Sequence, residues 1–473
     1  MKITAKLSLL ALAAAAASTA FAAGEATNVI FFLGDGMGPT TVTASRIYKH
    51  GEAGKLAMES LTRTARIKTY SNDAQTTDSA PSMAAYMTGV KMNNEVLSMS
   101  ADTKAYSGTT PYVSGSDSTC PASGNGTTVP TLLELSKAAG KAVGAVTTTR
   151  VTHATPAATY AHICHRDGEN DIATQFVPGS GKFNAALGSG VDVLLGGGWR
   201  HFVPSTTTGS KRTDALDLTQ KLADAGYTYV NTGTAFSNIN PATTSKLVGL
   251  FNKDHLNYEL DRVKNSVDEP SLADMTEKAI KILQKNNKGY FLMVEGGRID
   301  HALHGTNAKR ALEDTIAFDT AIQRALSLVD LKNTLVVVTA DHDHTMTFNG
   351  YAHKGNPILG KVTDIKKTTV NGGTPVLAKA DDGLPYTALV FGNGSMATAT
   401  PRPTTRADLT GIDTTDDDYI QEAGVQMSGT TPGNETHGGG DVMLMSGGAG
   451  SSGFKGTMVN TKVFTLIKSA LGL

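Results

Sequence analysis

The sequence has little net charge, two cysteines and no long apolar run beyond its first residues. Forty-two basic against 43 acidic side chains give a net charge of −1 over 473 residues. That balance leaves no basic footprint for nucleic acid and no basic face for a membrane surface. No segment after the N-terminal region is long and apolar enough to span a bilayer. No internal repeat is visible. There is no Gly-x-Ser-x-Gly elbow, so a serine-histidine-acid hydrolase triad is not indicated. Cys120 and Cys164 are the only cysteines and permit a single pairing.

What is present starts with a leader. Lys2 and Lys6 form a charged region, Leu7 to Ala17 an apolar stretch, and Ala20-Phe21-Ala22 a small-residue cleavage site. The reading is a signal peptide over residues 1–22 and a periplasmic or secreted product. No cysteine follows the apolar stretch, which argues against a lipid anchor. Removal of residues 1–22 leaves 40 basic and 43 acidic side chains, still near neutral. Export favours a disulfide between Cys120 and Cys164. The remaining 23–473 is read as a single domain, and its 40% apolar content supports a real core.

Apolar strand-like runs alternate with helical patterns along most of this length. Strands are expected at 28–33, 142–148, 191–195, 387–391 and 442–445. Helices are expected at 39–50, 78–89, 129–139, 272–284, 308–328 and 463–471. Asp78 is a candidate cap for the second helix, and Pro81 fits its first turn. Residues 107–127, rich in Ser, Thr and Gly, read as a loop. The alternation predicts an α/β fold with a central, mostly parallel sheet covered by helices on both faces. Residues from about 350 to 432, rich in Thr, Gly, Pro and Asp, read as a surface insertion.

Three of the apolar runs end in acids. Ile30-Phe31-Phe32-Leu33 leads into Gly34-Asp35-Gly36, Phe291-Leu292-Met293-Val294 into Glu295, and Leu335-Val336-Val337-Val338 into Asp341-His342. Open α/β sheets place their sites at the carboxyl ends of strands. Asp300 and His304 lie four residues apart, on one face of a helix, as a carboxylate-imidazole pair suited to zinc. Asp341-His342-Asp343-His344 is a second dense ligand cluster, and His437 stands before three glycines. Ser79 falls at a helix start, where backbone N–H groups favour an alkoxide or a phosphate. His153 and Thr155 share a side if the chain is extended there, and suit a hard cation such as Mg²⁺. Arg166 offers a bidentate fork for phosphoryl oxygens.

The set Asp35-Gly36-Met37-Gly38, Thr77-Asp78-Ser79-Ala80, Ala154-Thr155-Pro156-Ala157-Ala158, Glu295-Gly296, Asp300 with His304, Thr339-Ala340-Asp341-His342 and Thr436-His437-Gly438 resembles the alkaline phosphatases in kind and order. The resemblance implies hydrolysis of phosphate monoesters to an alcohol and inorganic phosphate through a phosphoserine, with an alkaline optimum. It implies Ser79 as nucleophile and Arg166 as phosphate clamp. It implies two Zn²⁺, one on Asp300, His304 and His437 and the other on Asp35, Asp341 and His342. It further implies one Mg²⁺ on Asp35, Thr155 and Glu295. His153 and His301 stand where the enteric bacterial pattern has Asp and Lys, and match the vertebrate pattern; imidazole at 153 shifts the third site toward zinc. The family is usually dimeric, so a homodimer and a monomer with a solvent loop at 350–432 both stay open. A sulfatase or phosphodiesterase is the nearest rival, but Met83 stands where the sulfatase motif has Arg. A phosphate- or metal-binding protein without turnover would need neither Ser79 nor Arg166.

Overall fold

The computed structural model describes residues 25–364, 375–394, 406–425 and 434–473. The expected signal peptide, residues 1–22, lies outside the described residues. Ten strands form the central sheet: β1 (Asn28–Gly34), β2 (Arg63–Lys68), β3 (Ala142–Arg150), β4 (Val193–Gly197), β5 (Thr228–Val230), β6 (Leu247–Leu250), β7 (Tyr290–Gly296), β8 (Thr334–Ala340), β9 (Val442–Gly448) and β10 (Gly456–Val459). Their order is β10-β2-β9-β8-β1-β7-β3-β4-β6-β5. Only β9 runs against its neighbours; every other pairing is parallel.

The central strands are apolar along their whole length because helices cover both faces. Val29 to Leu33, Phe291 to Val294 and Leu335 to Val337 are fully buried. The helices that matter here are α1 (Pro39–His50), α2 (Ser79–Thr88), α3 (Leu132–Ala138), α4 (Ala154–Ala157), α5 (Glu169–Phe176), α6 (Leu272–Leu283), α7 (Arg298–His304), α8 (Ala308–Leu328) and α9 (Asn460–Leu471). α8 packs on α1, α6 and α7 on one face, and α9 packs on α2 and α3 on the other. No helix among the described residues is long and apolar enough to cross a membrane.

Several elements depart from the sequence reading for local reasons. The helix expected from 129 starts at Leu132. Pro130 disfavours helical backbone at Val129, and Thr131 makes a capping box with Glu134. β2, β5, β6 and β10 were not expected. β2 alternates exposed and buried residues near the sheet margin, and the others are only three or four residues long. The strand expected at 387–391 exists as Leu389–Asn393, but in a separate three-stranded sheet. Between 106 and 118 the chain makes two minimal hairpins.

Cys120 and Cys164 are bridged. The bridge ties the 107–127 region to the segment that leads into Arg166. Replacing both cysteines with serine is expected to cost about 2–4 kcal/mol of stability, read as a lower denaturant midpoint.

Asp314 on α8 is buried, and burial pushes its carboxyl up to about 8 even with Arg298 nearby. The folded state therefore keeps this proton while the unfolded chain has lost it. Stability is lost as pH rises from the ordinary carboxyl range toward 8. Asp314→Asn keeps an acceptor for the Glu259 N–H that Oδ2 now binds at 3.2 Å. The variant is expected to melt higher than the parent at pH 8–9, by roughly a few degrees, with the gap closing toward pH 4.

Candidate metal centre

β8, β1 and β7 lie side by side in that order, in parallel, with Gly34 level with both Ala340 and Gly296. Their carboxyl ends therefore deliver Asp341-His342, Asp35 and Glu295 to one spot. β3, the next strand, runs on toward His153 and Thr155 at the mouth of α4. That short helix, not an extended run, sets the relation of His153 to Thr155. α7 follows β7 after a single glycine and presents Asp300 and His304 one turn apart. α2 is buried throughout, with Ser79 at its first position. Ser82 Oγ donates to the Asp341 carbonyl at 2.7 Å, and Tyr86 OH to the Ala340 carbonyl at 2.9 Å. These bonds pin α2 to the end of β8.

Gly36 makes the turn after β1. Its φ of +65° lies in the left-handed region, and a Cβ there would run into the His344 ring. Its N–H donates to Asp341 Oδ1 at 3.0 Å, as does the His342 N–H. One Asp341 oxygen is thereby satisfied; the other, Oδ2, is buried with no hydrogen-bond partner.

The imidazole geometry shows where cations fit. His304 Nδ1 lies 2.7 Å from the Glu435 carbonyl and His437 Nδ1 2.8 Å from the Thr77 carbonyl. A carbonyl only accepts, so both Nδ1 atoms carry protons, and each ring in its neutral form presents a bare Nε2. Those two bare nitrogens face each other at 3.1 Å, with Asp300 Oδ1 at 3.3 and 3.5 Å. Two lone pairs and a carboxylate oxygen converging without a proton between them are a zinc-type donor set. Burial and the adjacent His342 hold His437 well below the ordinary histidine range, in its neutral, ligating form.

The second group shares the same logic. His342 Nδ1 is 3.2 Å from the Asp343 carbonyl. Its Nε2 lies 3.2 Å from Ser79 Oγ, 3.3 Å from Asp35 Oδ1 and 3.4 Å from Asp341 Oδ2. Ser79 Oγ is also 3.5 Å from Asp35 Oδ1. The His342 ring stacks on His437, with centroids 3.5 Å apart, so the two groups adjoin.

In the third group, Asp35 Oδ2, Glu295 Oε1, Thr155 Oγ1 and His153 Nδ1 are all buried without a hydrogen-bond partner. Glu295 Oε2 is held by the Thr147 and Thr149 hydroxyls. Burial and three neighbouring carboxylates, Asp341, Asp300 and Glu295, raise Asp35 well above the usual carboxyl range. Burial likewise pushes Glu295 up to about 7. A protein that buries four acids this closely needs a compensating cation, and the orphaned atoms are the ones expected to bind it.

Arg166 Nη1 pairs with Asp78 Oδ1, and Nη2 donates to His153 Nε2 at 2.9 Å. A guanidinium only donates, so the neutral His153 ring holds its proton on Nδ1 in this arrangement. With Arg166 on Nε2 the ring presents an N–H to the third group, yet His153 still stands with Asp35 and Glu295 as a candidate metal ligand, its ligand atom within 4.8 Å of theirs. Asp78 does not cap α2 with its side chain as expected. Its Oδ2 instead accepts the Glu95 N–H at 2.9 Å. His301 packs edge-on against His153 and accepts from Arg298 Nη1 at 2.9 Å; burial and Arg298 push it down to about 3.

Glu435 and His255 escaped the sequence reading, and His344 entered it only as the last member of the Asp341-His342-Asp343-His344 cluster. His344 donates to Asp300 Oδ1 at 2.7 Å and to Glu435 Oε2 at 2.5 Å. Burial opposes its charge, yet Glu435 and Asp300 push it up to about 10. Its contact with Oδ1 orients Asp300, and it lies with Asp300, His304 and His437 in one group whose ligand atoms are within 4.8 Å of one another. Its signal was the two-residue spacing from His342. Glu435 also accepts the Thr345 N–H at 2.6 Å. His255 joins His153 and His301 in a cluster of rings; nothing around residue 255 in the sequence marks it.

A family model described as alkaline phosphatase matches residues 26–473. The chain is 36% identical over 451 residues to an alkaline phosphatase of Gadus morhua, covering 90% of this chain and 87% of that one. It is 37% identical over 458 residues to the tissue-nonspecific alkaline phosphatase of Homo sapiens, covering 89% and 79%. Among solved structures, the alkaline phosphatase of Thermus thermophilus is similar with a TM-score of 0.68 and 28% identity, over 95% of this chain and 92% of that one.

Proposed function

This chain belongs to the alkaline phosphatase family and is a phosphatase, and from that premise we propose that it hydrolyses phosphate monoesters through a phosphoserine on Ser79. Asp300, His304 and His437 would hold one Zn²⁺. Asp35, Asp341 and His342 would hold a second, and Asp35, Thr155 and Glu295 an Mg²⁺. When bound, these ions supply positive charge to the attacking, non-bridging and leaving oxygens of an in-line displacement.

The observation that carries the reading is the placement of Ser79. Its Oγ stands at the start of a buried helix, 3.2 Å from the bare His342 Nε2. Loss of the hydroxyl proton makes Oγ the nucleophile; the Oγ–phosphorus bond forms as the ester oxygen departs with its electron pair. Backbone N–H groups at the start of α2 favour the incoming negative charge. Arg166, held in place by Asp78 and His153, offers its fork to the non-bridging oxygens, where charge resides. Water then cleaves the phosphoserine and releases inorganic phosphate. Because Ser79 must give up a proton, turnover rises toward alkaline pH. We further read the protein as exported; the Cys120–Cys164 bridge supports an oxidising compartment.

The test is release of alcohol from an aryl phosphate across about pH 6–11, beside an aryl sulfate and a phosphodiester. The expected result is monoester turnover that climbs with pH and exceeds both rivals. Preference for the sulfate or the diester would contradict the role given to Arg166.

A further inference from the structure

An open cavity of about 610 Å³ adjoins the Asp300 group. It runs from His304 and His437 past Glu435 to His301 and Tyr258. That is room for an alcohol the size of a ring. Arg298 touches both Tyr258 and His301 at its far end, and the reaction makes no use of it. Given the phosphatase reading, on which this rests, we propose that Arg298, held against Tyr258, binds a second anionic group, a carboxylate or a phosphate, on the alcohol part of the substrate. In this assignment the departing oxygen, opposite Ser79 Oγ in an in-line displacement, leaves toward His304 and His437, and the alcohol occupies the cavity.

The fork of Arg298 is empty. Nε and Nη2 form the edge with which a guanidinium grips a carboxylate or a phosphate through two parallel bonds. In Arg150, Arg262 and Arg310 both atoms of that edge are taken by one carboxylate, on Glu169, Glu259 and Asp261. In Arg298 the Nε is buried without a hydrogen-bond partner, and no hydrogen bond from Nη2 occurs among the described residues. Only Nη1 is used, by His301 Nδ1 at 2.9 Å. A buried N–H left bare costs free energy until something satisfies it.

The charge of Arg298 is unpaired as well. No ion pair to it occurs among the described residues. Asp314 feels the charge without pairing, and burial pushes that carboxyl up to about 8, so it stays largely protonated at neutral pH. Glu435, the acid on the cavity wall, has one carboxylate oxygen engaged by Thr345 and the other by His344.

The guanidinium is also held in place. Its central carbon lies 3.7 Å from the centre of the Tyr258 ring, a cation–π contact. Arg310 stands 5.7 Å from the same ring but is committed to Asp261 and Asp418. Arg298 opens α7, the helix that carries Asp300 and His304, so the spacing between this cation and the metal centre is built into one element.

The test compares kcat/KM at neutral pH for phenyl phosphate, para-carboxyphenyl phosphate and para-phenylene bisphosphate in the parent, Arg298→Gln and Arg298→Lys. Phenyl phosphate controls for fold, metals and chemistry, and leaving-group acidity cancels between parent and variant. Arg298→Gln is expected to lower kcat/KM about tenfold for the charged esters, as loss of a charge-assisted pair does, and to leave phenyl phosphate within about twofold. Arg298→Lys should recover part of the loss, because it keeps the charge without the fork. In the parent, added NaCl should slow the charged esters more steeply than phenyl phosphate, a readout that needs no variant. Loss confined to one charged ester would support the proposal and identify the group bound. Equal loss for all three esters, no loss for either charged ester, or equal salt dependence of the three in the parent would overturn it. Those results leave the phosphatase reading standing, whereas a parent that does not turn over phenyl phosphate would end both.

Discussion

Ser79→Ala is expected to lower turnover of an aryl phosphate on the order of 10³-fold or more, with little change in fold or in bound metal. The size follows from the chemistry. Without Oγ there is no covalent acceptor for the phosphoryl group, and only direct attack by water remains. The small structural effect follows from the contacts. Ser79 Oγ touches His342 Nε2 and, at 3.5 Å, Asp35 Oδ1, and alanine is a good helix former at the same position. Loss of such marginal hydrogen bonds costs about 1 kcal/mol or less. The measurement is kcat on the purified variant beside its zinc content and melting temperature. A variant that keeps its metals, melts normally and turns over at the parent rate would remove Ser79 from the mechanism.

Chelation is expected to have the second large effect, on stability as well as on rate. Asp35, Asp341, Asp300 and Glu295 are almost completely buried at one end of the sheet. The acids repel one another, and the repulsion adds to burial in raising Asp35 well above the usual carboxyl range. Cations that bind the folded centre and not the unfolded chain add RT ln(1 + [L]/Kd), about 4 kcal/mol per ion at a thousandfold excess over Kd. Stripping with EDTA should therefore abolish turnover and lower the melting temperature together, and binding should release protons from the acids as metal returns. Zn²⁺ and Mg²⁺ together should restore both, and Mg²⁺ alone should not. A stripped protein that melts and turns over like the untreated one would contradict the assignment of the orphaned oxygens and bare imidazoles to metal.

Much of this centre was legible because its parts have short-range signatures. Buried parallel strands read as apolar runs, so Leu33, Val294 and Val338 marked where each run stopped and which acid followed. Asp300 and His304 share a helix face through spacing alone. What stayed hidden depends on partners far along the chain. His344 is visible as part of the Asp341–His344 cluster, but its bond to Glu435, which is 91 residues away, cannot be read from a two-residue spacing. Asp78 looks like a helix cap locally, but Arg166, 88 residues on, takes its side chain. The contact of Arg166 with His153 Nε2 is made by the fold across 13 residues and has no mark in the local sequence. The outer strands were missed for another reason: β2 reads Arg-Thr-Ala-Arg-Ile-Lys, with too few apolar residues for a strand of the interior.

The most direct measurement is an acid quench of the enzyme mixed with a monoester at low pH, followed by peptide mass spectrometry. The account predicts a single phosphorylated peptide with the phosphate on Ser79, lost in Ser79→Ala. Full monoester turnover with no phosphate on Ser79 under any quench, or with phosphate on another residue, would contradict it.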